Sequence, residues 1–159
     1  MLPTLHVILV NPEIPPNTGN VARLCAATRT ALHLVHPLGF STDDRYLKRA
    51  GLDYWEHVRV HHQESLGHAL AASGAGPVFY YSARAQRPYD QAPYAPGSRL
   101  VFGPETRGLP PDLLAAHAAS TYRLPIWGQV RSINLSTAVG VVVYEAYRQL
   151  GVWGEEGAG

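Results

Sequence analysis

Short apolar runs recur along the chain, and loops rich in glycine and proline separate them. The runs alternate little between apolar and polar residues, which is typical of strands buried on both faces of a sheet. Glycine or proline follows most of them and marks where each strand ends. The pattern predicts six strands, over residues 5–10, 32–35, 58–61, 78–82, 100–102 and 121–124.

Apolar residues at helical spacing occupy several of the intervals between these strands. One helix is predicted from about Thr18 to Thr28, with Asn17 as its N-cap. Shorter helices are predicted after a cap at Ser41 or Thr42, and over 65–72 and 111–116. Strands that alternate with helices predict a single α/β domain over 1–159, built on a mainly parallel sheet.

The last predicted helix spans 134–150, and Gly151 ends it. It carries two apolar stripes, and a helix that is apolar on two sides is covered on two sides. Val141 and Tyr144 lie on the second stripe, which a second subunit could cover. Packing of Tyr144 inside its own subunit is the alternative. The Gly- and Glu-rich tail after Trp153 is expected to be mobile.

Composition narrows the class of protein only slightly. Hydrophobic residues make up 46% of the chain and charged residues 16%, as in a globular protein. The 13 basic and 12 acidic residues nearly balance, so only a local patch could bind nucleic acid. Lys48 is the only lysine, and arginine suits phosphate well. Cys25 is a predicted core residue. The absence of a leader or a long apolar run predicts a soluble cytoplasmic protein without membrane contact.

The most distinctive stretch follows the strand at 100–102, where Gly103 opens a loop that contains Glu105 and several prolines. Ligands of α/β proteins bind beyond the carboxyl ends of strands, and this loop is therefore the first candidate site. A hairpin turn with an exposed ion pair is the alternative. Fingerprints of dinucleotide-binding, P-loop and α/β-hydrolase proteins are absent. The adjacent His61 and His62 lack metal-ligand spacing, so no metal site is predicted.

Three segments share small, rigid and hydrogen-bonding residues. They are 17–23 (Asn-Thr-Gly-Asn-Val-Ala-Arg), 102–110 (Phe-Gly-Pro-Glu-Thr-Arg-Gly-Leu-Pro), and 124–126 (Leu-Pro-Ile) with 131–139 (Arg-Ser-Ile-Asn-Leu-Ser-Thr-Ala-Val). Together they resemble the three motifs of the SPOUT class of RNA methyltransferases. With 12–20 and 49–54, the chain resembles the TrmL-type tRNA 2′-O-methyltransferases, which act on a cytidine or modified uridine at the wobble position. The likeness extends over residues 5–151.

The resemblance implies features that the apolar pattern does not show. The fold would contain a deep C-terminal trefoil knot, with S-adenosylmethionine bound inside it largely by backbone groups. The chain would form a homodimer through Val141 and Tyr144. The positions that match the cofactor site are Tyr81, Gly103, Leu124, Ile126, Ser132 and Asn134.

The same resemblance places Arg23 at the reaction centre, next to the ribose hydroxyl that receives the methyl group. A guanidinium stays protonated, so we assign Arg23 to orienting phosphate and stabilising alkoxide charge. Asn17, Asn20 and Glu105 would fix Arg23 or the ribose. Arg23 and Arg131, which lie in the motifs, are expected RNA contacts. Charge alone adds Arg49, and also Arg45, Lys48, Arg84 and Arg87.

Other interpretations stay open at this point. Arg23 would be a solvated surface charge if the flanking motif were ignored. The substrate could be another tRNA or rRNA ribose, and the chain could be a knotted RNA- or cofactor-binding module without activity. Residues 127–131 (Trp-Gly-Gln-Val-Arg) and Gly140 depart from the pattern of relatives, which are commonly more polar in the first segment and often have serine at the second position.

Overall fold

The computed structural model describes residues 4–45, 47, 49 and 57–155. Within them, seven strands form one sheet in the order β3-β2-β1-β6-β4-β7-β5, and all the pairings are parallel. The predicted α/β class and parallel sheet are confirmed. The strands are β1 (His6–Val10), β2 (Ala31–Val35), β3 (Val60–Gln63), β4 (Val78–Tyr81), β5 (Arg87–Pro88), β6 (Arg99–Phe102) and β7 (Thr121–Arg123).

The sequence pattern predicted the ends of the central strands to within one or two residues. It predicted the two edge strands, β3 and β5, less well. β1 and β2 are buried almost throughout, so a continuous apolar run marks each of them. The two-residue β5 was not predicted, because Arg87 and Pro88 carry no apolar signal. β5 is an edge strand, where proline is tolerated. Edge strand β3 begins two residues later than predicted, and His61 and His62 are exposed on it.

Four helices have defined bounds in the structure: α1 (Pro15–Ala27), α2 (Leu66–Ala72), α3 (Pro111–Ala116) and α4 (Leu135–Leu150). Three of them match their predictions closely. α3 coincides with its predicted range, and α2 begins one residue later, after its N-cap Ser65. α4 follows its N-cap Asn134 and precedes Gly151, whose φ is 70°. The helix predicted near Ser41 lies partly outside the described residues, and so does the predicted mobile tail.

The predicted start of α1 is wrong. The helix begins at Pro15, so Asn17 lies inside its first turn and is not the N-cap; the N-cap is Ile14. Pro15 and Pro16 were interpreted as loop residues. They fit the first helical positions because the amide hydrogens that proline lacks have no acceptor there. Because Asn17 does not cap the helix, its side chain is available for contacts outside the helix.

Helices cover both faces of the sheet and produce two apolar clusters. The larger joins α1 and α4 to one face and includes Leu9, Phe102 and Val139, all 3% exposed or less. The smaller lies on the other face, against α2 and α3. Cys25 belongs to the larger cluster, and burial raises the pKa of its thiol, which confirms it as a core residue. No helix in the described part of the chain is long and apolar enough to cross a membrane.

A buried histidine lies in the sheet away from the candidate site. His33 is 1% exposed, and its Nε2 lies 3.1 Å from Nδ1 of His6. Its ring stacks on His61 at 4.8 Å, and its Nδ1 has no hydrogen-bond partner among the described residues. Burial, followed by the charges of His6 and His61, lowers the pKa of His33 to about 4. The structure therefore favours the neutral form of this ring.

Candidate active site

The loops that follow β1 and β6 are held together by two glutamates, because the carboxylate from each loop accepts hydrogen bonds from the other loop. β1 and β6 are neighbours in the sheet, so their carboxyl ends lie side by side. Glu105 accepts hydrogen bonds from the backbone N–H groups of Glu13 and Ile14 at 2.8 and 2.9 Å. The Glu13 carboxylate accepts from the backbone N–H and the hydroxyl of Thr106, at 2.9 and 2.8 Å. We call these four residues the glutamate clamp.

The clamp also affects the pKa of the Glu13 carboxyl. The hydrogen bonds from the Thr106 backbone and side chain lower the pKa of this carboxyl, and the charge of Arg107 lowers it further. Glu13 and Thr106 were not assigned a role from the sequence, although both lie in the quoted motifs. The usable signal was Glu13 itself, an acidic residue fixed between two prolines at the end of a buried strand.

Asn17 connects the clamp to the start of α4. Its side chain is 6% exposed; its Nδ2 donates to Glu105 at 3.2 Å, and its Oδ1 accepts from Nδ2 of Asn134 at 3.0 Å. The Oδ1 of Asn134 in turn accepts from the backbone N–H groups of Ser136 and Thr137 and so caps α4. A single chain of side chains thus joins the three motifs that the sequence placed far apart.

Glu105 provides a hydrogen-bond acceptor at the start of α1, although it lies outside the helix. Ile14 has no side-chain oxygen to cap the first turn, and the Glu105 carboxylate accepts its backbone N–H. A negative charge at this position also faces the positive end of the helix dipole. The sequence assigned Glu105 to fixing Arg23 or the ribose, and in the structure its oxygens hold the beginning of the helix that carries Arg23.

Arg23 and Asn20 lie on the exposed side of α1, beyond Asn17. Because residues three apart share a helix face, Asn17, Asn20 and Arg23 follow one line along α1. Asn17 is buried at the beginning of the line, whereas the other two side chains reach solvent. The polar network therefore fixes the end of α1 at which this line of residues begins, and Arg23 lies at the other end of the line. The structure does not bring Asn20 into that network within the described residues.

Gly103 is required by a close crossing of the backbone. A Cβ atom at this position would lie 2.4 Å from the nitrogen of Leu109 and 2.5 Å from the carbonyl carbon of Gly108. The loop closes on itself through a hydrogen bond from the Gly108 N–H to the Pro104 carbonyl, at 2.8 Å, and Gly108 has a φ of 69°. The glycine thus admits the returning loop, which gives the site a fixed wall.

Tyr81 offers only its backbone to a ligand. Its side chain is 7% exposed, stacks on Phe102 at 4.6 Å, and lies 2.9 Å from the hydroxyl of Tyr94. Burial and the neighbouring Tyr94 raise the pKa of the Tyr81 phenol, so the ring is an uncharged part of the core. This arrangement fits the predicted backbone contact and excludes a role for the phenol in the reaction.

A cleft of about 250 Å³ lies beside β7, and two of the predicted cofactor residues line it. It is slightly smaller than the roughly 300–1,000 Å³ of common ligand pockets. Ser132 is exposed and does not line the cleft. The lining residues are Ala83, Arg123, Leu124, Ile126, Gly128, Val130 and Arg131.

The backbone at this cleft is suited to hold a ligand. Among the described residues, no hydrogen bond to another protein group uses the N–H or C=O groups of residues 124–133. Residues 124–126 and 133 are only partly exposed, and their peptide groups need a partner wherever water does not reach them. The apolar side chains of Leu124 and Ile126 and the free peptide groups therefore fit a cofactor that is bound mainly through backbone atoms. No cluster of three metal-ligating side chains occurs in the part of the chain that the structure describes.

The predicted RNA contacts beyond Arg23 lie at the surface where the structure describes them. The exposed residues are Arg45, Arg49, Arg84, Arg87 and Arg131. Arg87 donates to the Ala119 carbonyl and lies over the Tyr122 ring at 4.7 Å, so its guanidinium holds the sheet edge together. Lys48 and residues 50–54 of the quoted motif lie outside the described residues.

The second stripe of α4 faces outward. Tyr144 is 48% exposed and Val141 38% exposed, and the Tyr144 ring stacks on Trp153 at 6.3 Å. The alternative that Tyr144 packs inside its own subunit is therefore wrong. An apolar face that the subunit leaves uncovered is a candidate contact surface for a second copy.

Comparison with known proteins relates this geometry to one family. Residues 4–144 match the SpoU rRNA Methylase family. The tRNA (cytidine(34)-2′-O)-methyltransferase of Escherichia coli strain K12 is 47% identical over 148 residues, covering 92% of this chain and 94% of that protein.

Solved structures agree with the sequence comparison. A structure described as giving insights into the 2-OH methylation of C/U34 on tRNA is 49% identical with a TM-score of 0.88, over 94% of this chain and 97% of that one. The AdoMet-bound rRNA methyltransferase of Sinorhizobium meliloti is 25% identical with a TM-score of 0.81, over 92% of this chain and 57% of that one.

Proposed function

The chain belongs to the SpoU rRNA methylase family, and from that premise we propose that it methylates the ribose 2′-hydroxyl of the wobble nucleotide, a cytidine or a modified uridine, in tRNA. The observation that carries the proposal is the hydrogen-bonded series Glu105–Asn17–Asn134. It gathers the three motifs at the carboxyl end of β6 and at the start of α4. The similarity of nearly full-length relatives with that named activity supports the choice of substrate.

S-adenosylmethionine is the expected cofactor, and when bound it supplies an activated methyl group. Leu124 and Ile126 would enclose its apolar parts, and the unpaired peptide groups of residues 124–133 would bind its polar edges. Tyr81 and Gly103 would contribute backbone contacts only. Ser132 and Asn134 are proposed to contact the cofactor carboxylate or the substrate. Asn134 is oriented for this by its bonds to α4 and Asn17.

Arg23 is proposed to act on the ribose and its phosphate. Its guanidinium stays protonated at neutral pH, so it cannot remove the hydroxyl proton. It can hold the adjacent phosphate and stabilise negative charge on the ribose oxygen as that proton leaves. Asn20 lies one turn earlier on the same exposed line and is the second proposed contact with the ribose. Asn17 and Glu105 act indirectly, because both hold the first turn of α1.

We also propose three features that family membership implies for this chain. We expect the C-terminal trefoil knot, a homodimer that is formed through Val141 and Tyr144, and a cytoplasmic location alongside tRNA. The exposed pair of Tyr144 and Trp153 supports the dimer, since a second subunit would remove this apolar surface from water. Arg49 and Arg131 are the further proposed RNA contacts.

Methyl transfer to total tRNA tests the proposal directly. We expect labelled methyl groups from S-adenosylmethionine to enter tRNA, and nucleoside mapping by mass spectrometry to place them on the ribose of the wobble nucleotide. Arg23→Gln should abolish transfer in protein that circular dichroism shows to be folded. Arg29→Gln is the matched control, since Arg29 is exposed just beyond the same helix.

Three other outcomes would each contradict a different part of the proposed function. A methyl group at another nucleotide would indicate the same chemistry on another RNA site. A protein that binds tRNA and cofactor without transfer would be a non-catalytic module. Full activity of Arg23→Gln would remove Arg23 from the reaction centre.

A further inference from the structure

One large aromatic side chain at the cleft is left uncovered by the fold. Trp127 is 91% exposed, although the preceding Ile126 lines the cleft. Val130, in the same loop between β7 and α4, is 66% exposed. Tryptophan has a large aromatic surface and is enriched where proteins contact their partners. The loop therefore presents an aromatic face immediately outside the candidate cofactor cleft.

The charges around Trp127 favour a nucleic acid as the partner. Arg123 and Arg131 both line the cleft. The Arg123 guanidinium donates to the carbonyls of Ala85 and Gln86, so Arg131, which is exposed four residues after the tryptophan, is the cation available to a phosphate. Single-stranded RNA is bound by this combination, in which bases stack on aromatic rings and arginines contact the phosphates. The surroundings also leave room for a base, since a Cβ atom added at Gly128 would meet nothing within 4 Å.

We propose that Trp127 is a stacking platform for an unpaired base of the substrate RNA, next to the nucleotide whose ribose is methylated. The proposal rests on the proposed function and adds a binding residue to it. Every base has an aromatic face, so stacking does not select a sequence. It selects nucleotides that are free of base pairing, and Trp127 would therefore favour an RNA loop over a helix.

Kinetics of two substitutions test the platform. Trp127→Ala should raise KM for tRNA roughly 5- to 150-fold, which is the range expected for one stacked base. The turnover at saturating tRNA and the affinity for S-adenosylmethionine should not change. Trp127→Phe keeps an aromatic face and should restore most of the tRNA affinity. Folding is not at risk in either variant because the side chain is already in solvent. An unchanged KM in Trp127→Ala would overturn the proposal.

A spectroscopic measurement distinguishes the other possible neighbours of the ring. The protein is labelled with 5-fluorotryptophan, and the ¹⁹F signal of Trp127 is assigned by its loss in Trp127→Phe. The signal should report a solvent-exposed ring in the free protein, stay unchanged with S-adenosylhomocysteine, and shift with an anticodon stem-loop RNA. A ring that is protected before RNA is added would show that a second subunit covers it, and a response to S-adenosylhomocysteine alone would make it a wall of the cofactor site. Either result overturns the platform.

The same experiments separate this proposal from the proposed function. If wild-type protein methylates tRNA and the Trp127 signal does not shift when RNA is added, the stacking platform is wrong and the proposed function is supported. If wild-type protein transfers no methyl group to tRNA, the function fails. The stem-loop titration then decides the platform alone, and a signal that RNA does not shift refutes it.

Discussion

Replacing Glu105 with glutamine tests whether the glutamate clamp holds the start of α1. The substitution keeps the size of the side chain and exchanges one oxygen for an NH2 group. Both carboxylate oxygens are in use, one by the Glu13 N–H at 2.8 Å and the other by Ile14 and Asn17 at 2.9 and 3.2 Å. Whichever way the amide turns, its NH2 group faces a donor and one side of the clamp is lost.

The size of the effect follows from these contacts. A hydrogen bond to a charged group contributes about 1.5–3 kcal/mol, and a donor left without an acceptor adds a similar penalty when it is buried. Glu105 is only half-buried, so water replaces part of the loss. We expect the free energy of unfolding to fall by about 2 kcal/mol, which for a domain of this size lowers the melting temperature by roughly 4–8 °C.

Thermal unfolding followed by circular dichroism measures this loss, and methyl transfer to tRNA measures its functional consequence. Glu64→Gln is the matched control, because Glu64 is exposed and the same change should leave both quantities unaltered. Activity should fall in Glu105→Gln at temperatures where the protein is fully folded, since Arg23 is carried by the helix that loses its anchor. A Glu105→Gln protein with wild-type melting and wild-type activity would refute the role of the clamp.

Three further changes probe other parts of the molecule. Gly103→Ala places a Cβ atom 2.4 Å from the Leu109 nitrogen, so it should lower the unfolding free energy by about 1–3 kcal/mol in urea titrations, whereas Gly128→Ala should not. The pKa of His33 falls from 6.5 to about 4 on folding, so the unfolded chain binds more protons in this window. Stability is therefore complete above about pH 6.5 and should decline by about 1.4 kcal/mol per unit as pH falls towards 4; a urea midpoint that is flat across this window contradicts the assignment. Tyr144→Arg should yield monomers in sedimentation velocity and lose tRNA binding, and a fully active monomer would exclude the dimer from function.

The sheet and the helices could largely be predicted, because burial on both faces leaves a continuous apolar run. The predictions were wrong where the position of a residue in a helix or a sheet matters more than its local composition. The prolines at 15 and 16 are loop residues by composition and helix-start residues by position, so the beginning of α1 was misplaced. Arg87 and Pro88 form a strand only because β7 offers an edge, which no local pattern records.

The site could be predicted as a set of residues and not as a network. Resemblance to a family selected Asn17, Glu105 and Asn134, yet it did not show that they bond to one another. Their contacts join residues 88 and 117 positions apart, and such distances depend on which strands become neighbours. The role of Thr106 could not be predicted for the same reason, since it depends on the Glu13 carboxylate from a distant loop.

The strand order also determines when the active site can form during synthesis. β1 lies between β2 and β6, and residues 99–102 must leave the ribosome before the second edge of β1 is covered. Until then, a buried strand exposes unpaired backbone groups that can join with other chains. Pairings between distant segments also fold slowly. The Asn17 amide meets its last partner only when Asn134 is available, so the nascent chain cannot form this network until residue 134 has left the ribosome.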